Sequence, residues 1–346
     1  MDERLAPGHA APQHGRAPRP LPLFLELVRM VGEENPTLAR QALEGLSRYE
    51  YVVRGEQQPL RPVAATAGGA MLRDHGGAGT PVVLVPSLIN PPHVLDLPGH
   101  SLTAALALHH RVLLLDWGAA RERGDLDLGA HVAELLVPLL RSLGEPVSLV
   151  GYCLGGTMAL AAANLIAVNR VATLAAPWRF AAYPPDAIAA LARLWRQSAP
   201  AAERFGALPT EILQAAFWSL DPRGIVVKFA RLAGEPKNSA AVARFVTLED
   251  WANEGEPVPL PAARELIERL FARDCTGKGE WRVAGTRIRA DAVPALHFTA
   301  RGDRIVPTGS AAPGPSRAVG AGHVGMIVGR RAADELHKPL LAFLAD

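Results

Sequence analysis

The chain has 346 residues, 49% hydrophobic and 20% charged, with 36 Lys+Arg against 34 Asp+Glu. It is long enough for one large domain with an insertion or for two ordinary domains, which length alone does not separate, and too apolar for a disordered or collagen-like protein. The near-balanced charge, without long basic runs or interleaved aromatics, argues against a nucleic-acid partner. Two cysteines, Cys153 and Cys275, are too few for a disulfide framework and suit a reducing compartment, so a cytoplasmic location is expected.

The first segment, MDERLAPGHAAPQHGRAPRP, lacks the apolar core of a secretory signal and reads as a disordered arm over residues 1–20. Helical spacing of apolar residues follows over Leu21 to Gly32 and Pro36 to Tyr49. The broad stripe in LPLFLELVRMV suits packing on the chain's own core or docking to a partner. The long apolar region from Val147 to Ala176 is interrupted by glycines, asparagines and Arg170, so it reads as strand, helix and strand rather than as a membrane span.

From residue 80 short apolar runs alternate with helical stretches. Strands are expected at Val82 to Pro86, Val112 to Asp116, Val147 to Tyr152, Val171 to Ala175, Ala295 to Thr299 and Ser316 to Val319. Each run is nearly continuous in apolar character, as parallel strands buried on both faces require. Between about 177 and 290 the alternation gives way to helical spacing, an inserted cap within one α/β domain spanning 21–346. Trp178, Trp195, Trp218, Trp251 and Trp281 fall in or beside it, to line a passage or, more often, to hold helices together.

The sharpest local signal is Gly151-Tyr152-Cys153-Leu154-Gly155-Gly156, between an apolar run and the helix-like TMALAAANLIAV. A strand, a tight turn and a helix with glycines two before and two after the central residue make a nucleophile elbow. With glycine near 7% of residues, either of two cysteines would carry both glycines by accident about 1% of the time. Cys275 has no such setting and reads as a buried, inert thiol. A thiol of pKa near 8.5 needs a base.

Of eleven histidines, His323 stands apart, on the Gly-rich GAGHVGMIVG after the last strand. The acid of the order nucleophile, acid, histidine should follow an intervening strand, as Asp303 does in ALHFTARGDRIVP; Asp291 precedes that strand and belongs at the other edge. Oxyanion donors are expected from the backbone N–H groups of Leu154 and of Leu88, in the loop after the first strand of the series. Asp116 reads more readily as a structural acceptor than as a site residue, and His297 as a filler of core space. No metal-ligand spacing, Walker loop or dinucleotide fingerprint is present, and no cofactor is expected.

These residues resemble the polyhydroxyalkanoate synthases, in which a cysteine replaces the serine of a lipase-like box. PVVLVPSLINPPHVLDL is similar to that family's first strand and loop, RVLLLDWG to its next strand, GYCLGGT to its nucleophile box, GDRIVP to its acid turn and GHVGMIVG to its histidine loop. The likeness covers about residues 60 to 345 and is weaker in the cap. It implies the α/β-hydrolase fold, a mostly parallel central sheet with helices on both faces and an inserted helical cap. It assigns Cys153 as nucleophile, Asp303 as acid and His323 as base.

The activity implied is polymerisation of (R)-3-hydroxyacyl-CoA through a thioester on the cysteine, with release of CoA. The length resembles that of the short synthases, which work with a second subunit; the box is closer to that of the long ones. A second synthase subunit, a second copy of the chain and the polymer granule surface are the implied partners. A hydrolase with water as acceptor, whether thioesterase, depolymerase or dienelactone-hydrolase-like, would use the same three residues. A non-catalytic accessory protein on this scaffold is the remaining alternative.

Overall fold

The computed structural model describes residues 16–54 and 59–345, so most of the expected arm lies outside the described residues. The chain divides into two compact units, one within Met1–Gln57 and Asp221–Asn253, the other within Gln58–Leu220 and Glu254–Asp346. Five helices matter below: α1 (Leu21–Glu34), α2 (Pro36–Tyr51), α3 (Leu154–Ala162), α4 (Pro222–Gly234) and α5 (Ala240–Asn253).

The first unit contains α1, α2, α4 and α5. Two of its helices start with the same device. Asn35 accepts from Leu38 N at 3.0 Å and Asp221 from Gly224 N at 3.1 Å, each followed by a proline in the first turn, where a missing N–H costs nothing. Phe24, Tyr49 and Phe229 are fully buried at its centre, with the Phe24 and Phe229 ring centroids 4.6 Å apart. The one polar atom on these rings, the Tyr49 hydroxyl, donates to Asp250 at 2.6 Å.

The second unit is built on an eight-stranded sheet. Its strands are β1 (Val63–Ala67), β2 (Ala70–Asp74), β3 (Pro81–Val85), β4 (Arg111–Asp116), β5 (Ser148–Tyr152), β6 (Val171–Leu174), β7 (Ala295–Ala300) and β8 (Ser316–Val319), in the spatial order β1-β2-β4-β3-β5-β6-β7-β8. All six expected strands are present, and β3 to β8 run parallel. Every residue of β3, β5 and β6 is buried, which is why these strands read as unbroken apolar runs.

β1 and β2 form an antiparallel hairpin that pairs with β4 at one edge. Their sequence, VAATAGGAMLRD, is rich in small residues and half-exposed, so it carries little apolar signal.

The topology fixes where a site can lie. From β3 the chain crosses to β4 on one side and then returns to β5 on the other, so the carboxyl ends of β3 and β5 flank a switch point in strand order. Gly151, near the end of β5, lies level with Val85 of β3 and Thr173 of β6. The helical stretch expected between 177 and 290 is shared between the units. α4 and α5 belong to the first, while Pro185–Phe205, Thr210–Ser219 and the helical turns over 260–271 belong to the second. Among the described residues no helix is long and apolar enough to cross a membrane.

Candidate active site

Cys153 stands between β5 and α3 with φ 54 and ψ −132, a conformation non-glycine residues rarely adopt. The surrounding structure holds it there: its N–H donates to Leu174 O at 2.9 Å and its carbonyl accepts from Gly156 N at 2.9 Å. The elbow glycines are required by close approach rather than by their dihedrals. A Cβ on Gly151 would lie 2.3 Å from Gly156 Cα, and one on Gly155 would lie 2.1 Å from Val85 O. The Gly155 contact also seats the loop after β3 against the elbow, since Pro86 O is 2.5 Å from the same point.

The two expected oxyanion donors sit on either side of this contact. Leu154 is the first residue of α3, so its N–H has no intrahelical acceptor. Leu88 lies buried in the loop after β3, and among the described residues nothing accepts its N–H. Pro86 in the same loop accepts from Trp117 Nε1 at 3.0 Å.

Asp303 and His323 meet across the carboxyl ends of β7 and β8. Gly302 N donates to Ala321 O at 2.9 Å, tying the acid turn to the histidine loop. The Asp303 carboxylate is buried and fixed twice over. Oδ1 accepts from Ile305 N at 2.8 Å and Val306 N at 2.9 Å, and Oδ2 pairs with His323 Nδ1 at 2.6 Å. The ring's other nitrogen is thereby left for the Cys153 thiol, with which the imidazole also interacts.

Burial pulls the His323 pKa down, but the charge of Cys153, the bond to Asp303 and the bond to Cys153 outweigh it and raise the imidazole to about 10. Tyr152 packs its ring on His323, centroids 5.1 Å apart at 33°, and its hydroxyl donates to His323 O at 3.3 Å. All three residues singled out from the sequence therefore come together, with the Leu154 N–H directly after the thiol's strand-helix turn.

Other residues weighed in the sequence stay apart from this cluster. Asp116 accepts from Arg73 Nε and Gly118 N, both at 3.1 Å, a structural role. Asp291 is exposed and pairs with Arg289. His297 is buried in β7, where Nδ1 meets Thr173 Oγ1 at 2.9 Å. Cys275 is buried in a loop. Trp195 and Trp281 bond their indole N–H groups to Glu268 and Glu265, each at 2.9 Å, and so tether helical segments.

Tyr183 is a neighbour that the sequence does not mark. It is buried, stacks on Phe180 at 5.9 Å and meets Phe271 edge-on at 5.0 Å. Burial first, then the negative charges of Cys153 and Asp303, push its hydroxyl well above the ordinary tyrosine value, while a bond with Ser310 acts the other way. The segment WRFAAYPP has no periodicity that would single it out. Among the described residues, no group of three or more His, Cys, Asp or Glu could hold a metal ion.

The chain matches the model of the Alpha/beta hydrolase family over residues 75–336. It is similar to the Poly(3-hydroxyalkanoate) polymerase subunit PhaC of Haloferax mediterranei, 27% identical over 293 residues, or 77% of this chain and 58% of that subunit. The Synechocystis sp. subunit of the same name is 25% identical over 301 residues, covering 77% of this chain and 78% of its own length. The chain thus spans less than two thirds of the haloarchaeal relative. Among solved structures, Epoxide Hydrolase A from Mycobacterium thermoresistibile is 20% identical and superposes with a TM-score of 0.53, covering 83% of this chain and 98% of its own; this likeness is one of fold.

Proposed function

This chain belongs to the alpha/beta hydrolase family, and we propose that within it the protein is an acyltransferase that polymerises (R)-3-hydroxyacyl-CoA. The observation that carries the reading is the cysteine at the strained elbow together with an imidazole that a buried carboxylate holds at 2.6 Å and that feels the cysteine's charge. The names of the polymerase subunits it resembles supply the substrate class.

Cys153 is the nucleophile, His323 the base and Asp303 the residue that fixes the tautomer and supports the charged ring. An imidazolium beside a thiol favours the thiolate, which attacks the acyl-CoA carbonyl while Leu154 N and Leu88 N receive the developing oxyanion. The carbon–sulfur bond to CoA breaks as the new bond to Cys153 forms, and His323 returns its proton to the leaving thiolate. Exchange between thioesters is nearly balanced, so the acyl group stays activated. The hydroxyl of a second 3-hydroxyacyl group, deprotonated by His323, then attacks it, forming an ester as the carbon–sulfur bond to Cys153 breaks and Cys153 leaves as a thiolate beside the protonated His323. No metal or redox cofactor enters these steps. The proposed location is the cytoplasm, at the surface of polymer granules, with a second subunit or a second copy as partner.

The test is incubation with 3-hydroxybutyryl-CoA, following CoA release and separating insoluble polyester from free acid, with Cys153→Ala as control. Polyester that is absent with Cys153→Ala supports the reading. Free 3-hydroxybutyrate in place of polyester makes water the acceptor and the protein a thioesterase. No CoA release, with other chain lengths and a candidate subunit supplied, removes the acyl-CoA reading altogether.

A further inference from the structure

Within the sheet-bearing unit a cavity of about 470 Å³ lies along β4 and under the loop after β3. Its floor and walls include Leu88, Ile89, Leu114 and Trp117, and its volume falls in the range of small-molecule pockets. One charged side chain in its wall is unusual. Arg123 is 3% exposed, yet among the described residues no carboxylate lies within 4 Å of its guanidinium.

Arg123 Nε reaches Gly118 O at 3.4 Å, and Nη1 donates to His131 Nε2 at 3.2 Å. His131 is itself buried, and with Nδ1 bonded to Asp127 O at 2.7 Å its Nε2 can only accept. Burial pushes this imidazole down to about 4, so it brings no charge. Burial also lowers Arg123, to about 10 against the pull of Glu256 and Asp116, which leaves it cationic at neutral pH. Among the described residues nothing accepts from Nη2. A guanidinium this deeply buried, its charge held only by the longer-range pull of Glu256 and Asp116, is costly to desolvate, and perturbed groups of this kind in a cleft mark candidate binding sites.

The chemistry of the missing partner follows from what else lines the cavity. Its carboxylates are engaged: Asp116 by Arg73 and Gly118, Glu256 by Ala120 N at 3.2 Å, Asp96 by His75, Ser101 and Thr103, and Glu254 by His93 at 3.9 Å. The free capacity is therefore that of a donor. Three arginines face four carboxylates, a balance that opposes a further full negative charge while leaving a neutral acceptor unopposed.

We propose that this cavity is a binding site for an uncharged acyl ester, whose carbonyl oxygen accepts from Arg123 Nη2 while its hydrocarbon part lies against Leu114 and Trp117. Because Leu88 is shared with the reacting centre proposed above, the site would hold the ester units behind the acyl group. That placement rests on the acyl-transfer reading; the binding itself does not.

The test is calorimetric titration of full-length Cys153→Ala protein, which cannot turn over, with the methyl ester of the 3-hydroxybutyrate dimer. The free acid of the dimer and inorganic phosphate are titrated beside it. The ester is expected to bind, and Arg123→Met to weaken it by about tenfold or more, as loss of a hydrogen bond to a charged donor implies. Arg123→Met should also melt at or above the parent temperature, because an unpaired buried cation is removed; a structural arginine would give a lower one. If Arg123→Met does not fold, Leu114→Phe, which fills the cavity and leaves the guanidinium in place, must weaken the ester comparably.

Unchanged ester affinity in these variants, absent ester binding, or tighter binding of the free acid or phosphate than of the ester would each overturn the proposal. Ester binding that survives a negative acyl-CoA assay would leave the site standing while the polymerase reading falls.

Discussion

The helical unit and the nucleophile elbow are put together on opposite principles. In the first, helices begin at paired caps and prolines, the buried rings of Phe24, Tyr49 and Phe229 interlock, and the one buried hydroxyl finds a carboxylate. In the second, a cysteine sits at positive φ, glycines let backbones approach closer than any side chain permits, and an imidazole and a carboxylate are buried together. Regular packing there serves stability. Strain and buried charge here are tolerated because they aim a thiol and hold a proton beside it.

The contrast can be broken most sharply at Asp303. Asp303→Asn keeps the shape but loses the charge that supports the imidazolium, and is expected to slow CoA release by about 10⁴, the scale seen when a triad carboxylate is neutralised. Its melting curve should move far less than its rate. A rate within tenfold of the parent would put the imidazole's support elsewhere.

Next comes the aromatic core. Phe229→Ala should destabilise by about 3–5 kcal/mol through the cavity it leaves, measured by denaturant unfolding. The rate at which iodoacetamide alkylates Cys153 should stay within about twofold, since stability and reactivity are placed in different residues. An alkylation rate that fell with stability would dissolve the distinction between the regions.

Gly155→Ala drives a Cβ into Val85 O and is expected to cost about 1–3 kcal/mol as overpacking, with loss of the enhanced reactivity of Cys153. Unchanged reactivity would mean that the elbow does not need this approach. Asn35→Ala removes one cap from α2 and should cost only about 1 kcal/mol, with no effect on the thiol.

A further prediction concerns pH. His323 is raised in the folded protein, so its protonation adds stability that is fully present below the ordinary histidine value and is lost as pH rises through about 10. The melting temperature of the parent relative to His323→Gln should therefore shrink across that window, and a difference that grew with pH would contradict the raised value.

Much of the sheet-bearing unit is legible in the sequence because burial on both faces erases alternation: β3, β5 and β6 read as apolar runs ended by turn residues. The elbow is legible because only a strand, a tight turn and a helix in close contact demand glycines at both offsets from Cys153. Asp303 and His323 follow from chain order, and both lie on loops whose glycines let the backbone turn.

What stays hidden has physical reasons as well. β1 is Val-Ala-Ala-Thr-Ala and β2 Ala-Met-Leu-Arg-Asp, both short and only partly buried, so no hydrophobic pattern announces them. Apolar spacing in α4 and α5 reveals a buried face but not which helices cover it, and their grouping with α1 and α2 depends on contacts far apart in sequence. Tyr183 and Arg123 carry no motif; only burial and the lack or presence of neighbours mark them.

The most direct measurement is the mass of the intact protein after brief mixing with 3-hydroxybutyryl-CoA and acid quenching. A covalent acyl adduct is expected, mapped by peptide analysis to Cys153, cleaved by neutral hydroxylamine as a thioester should be, and absent from Cys153→Ala. Release of CoA without any adduct on Cys153, or an adduct on another residue that persists in Cys153→Ala, would contradict the assignment of this cysteine as the residue that carries the acyl group.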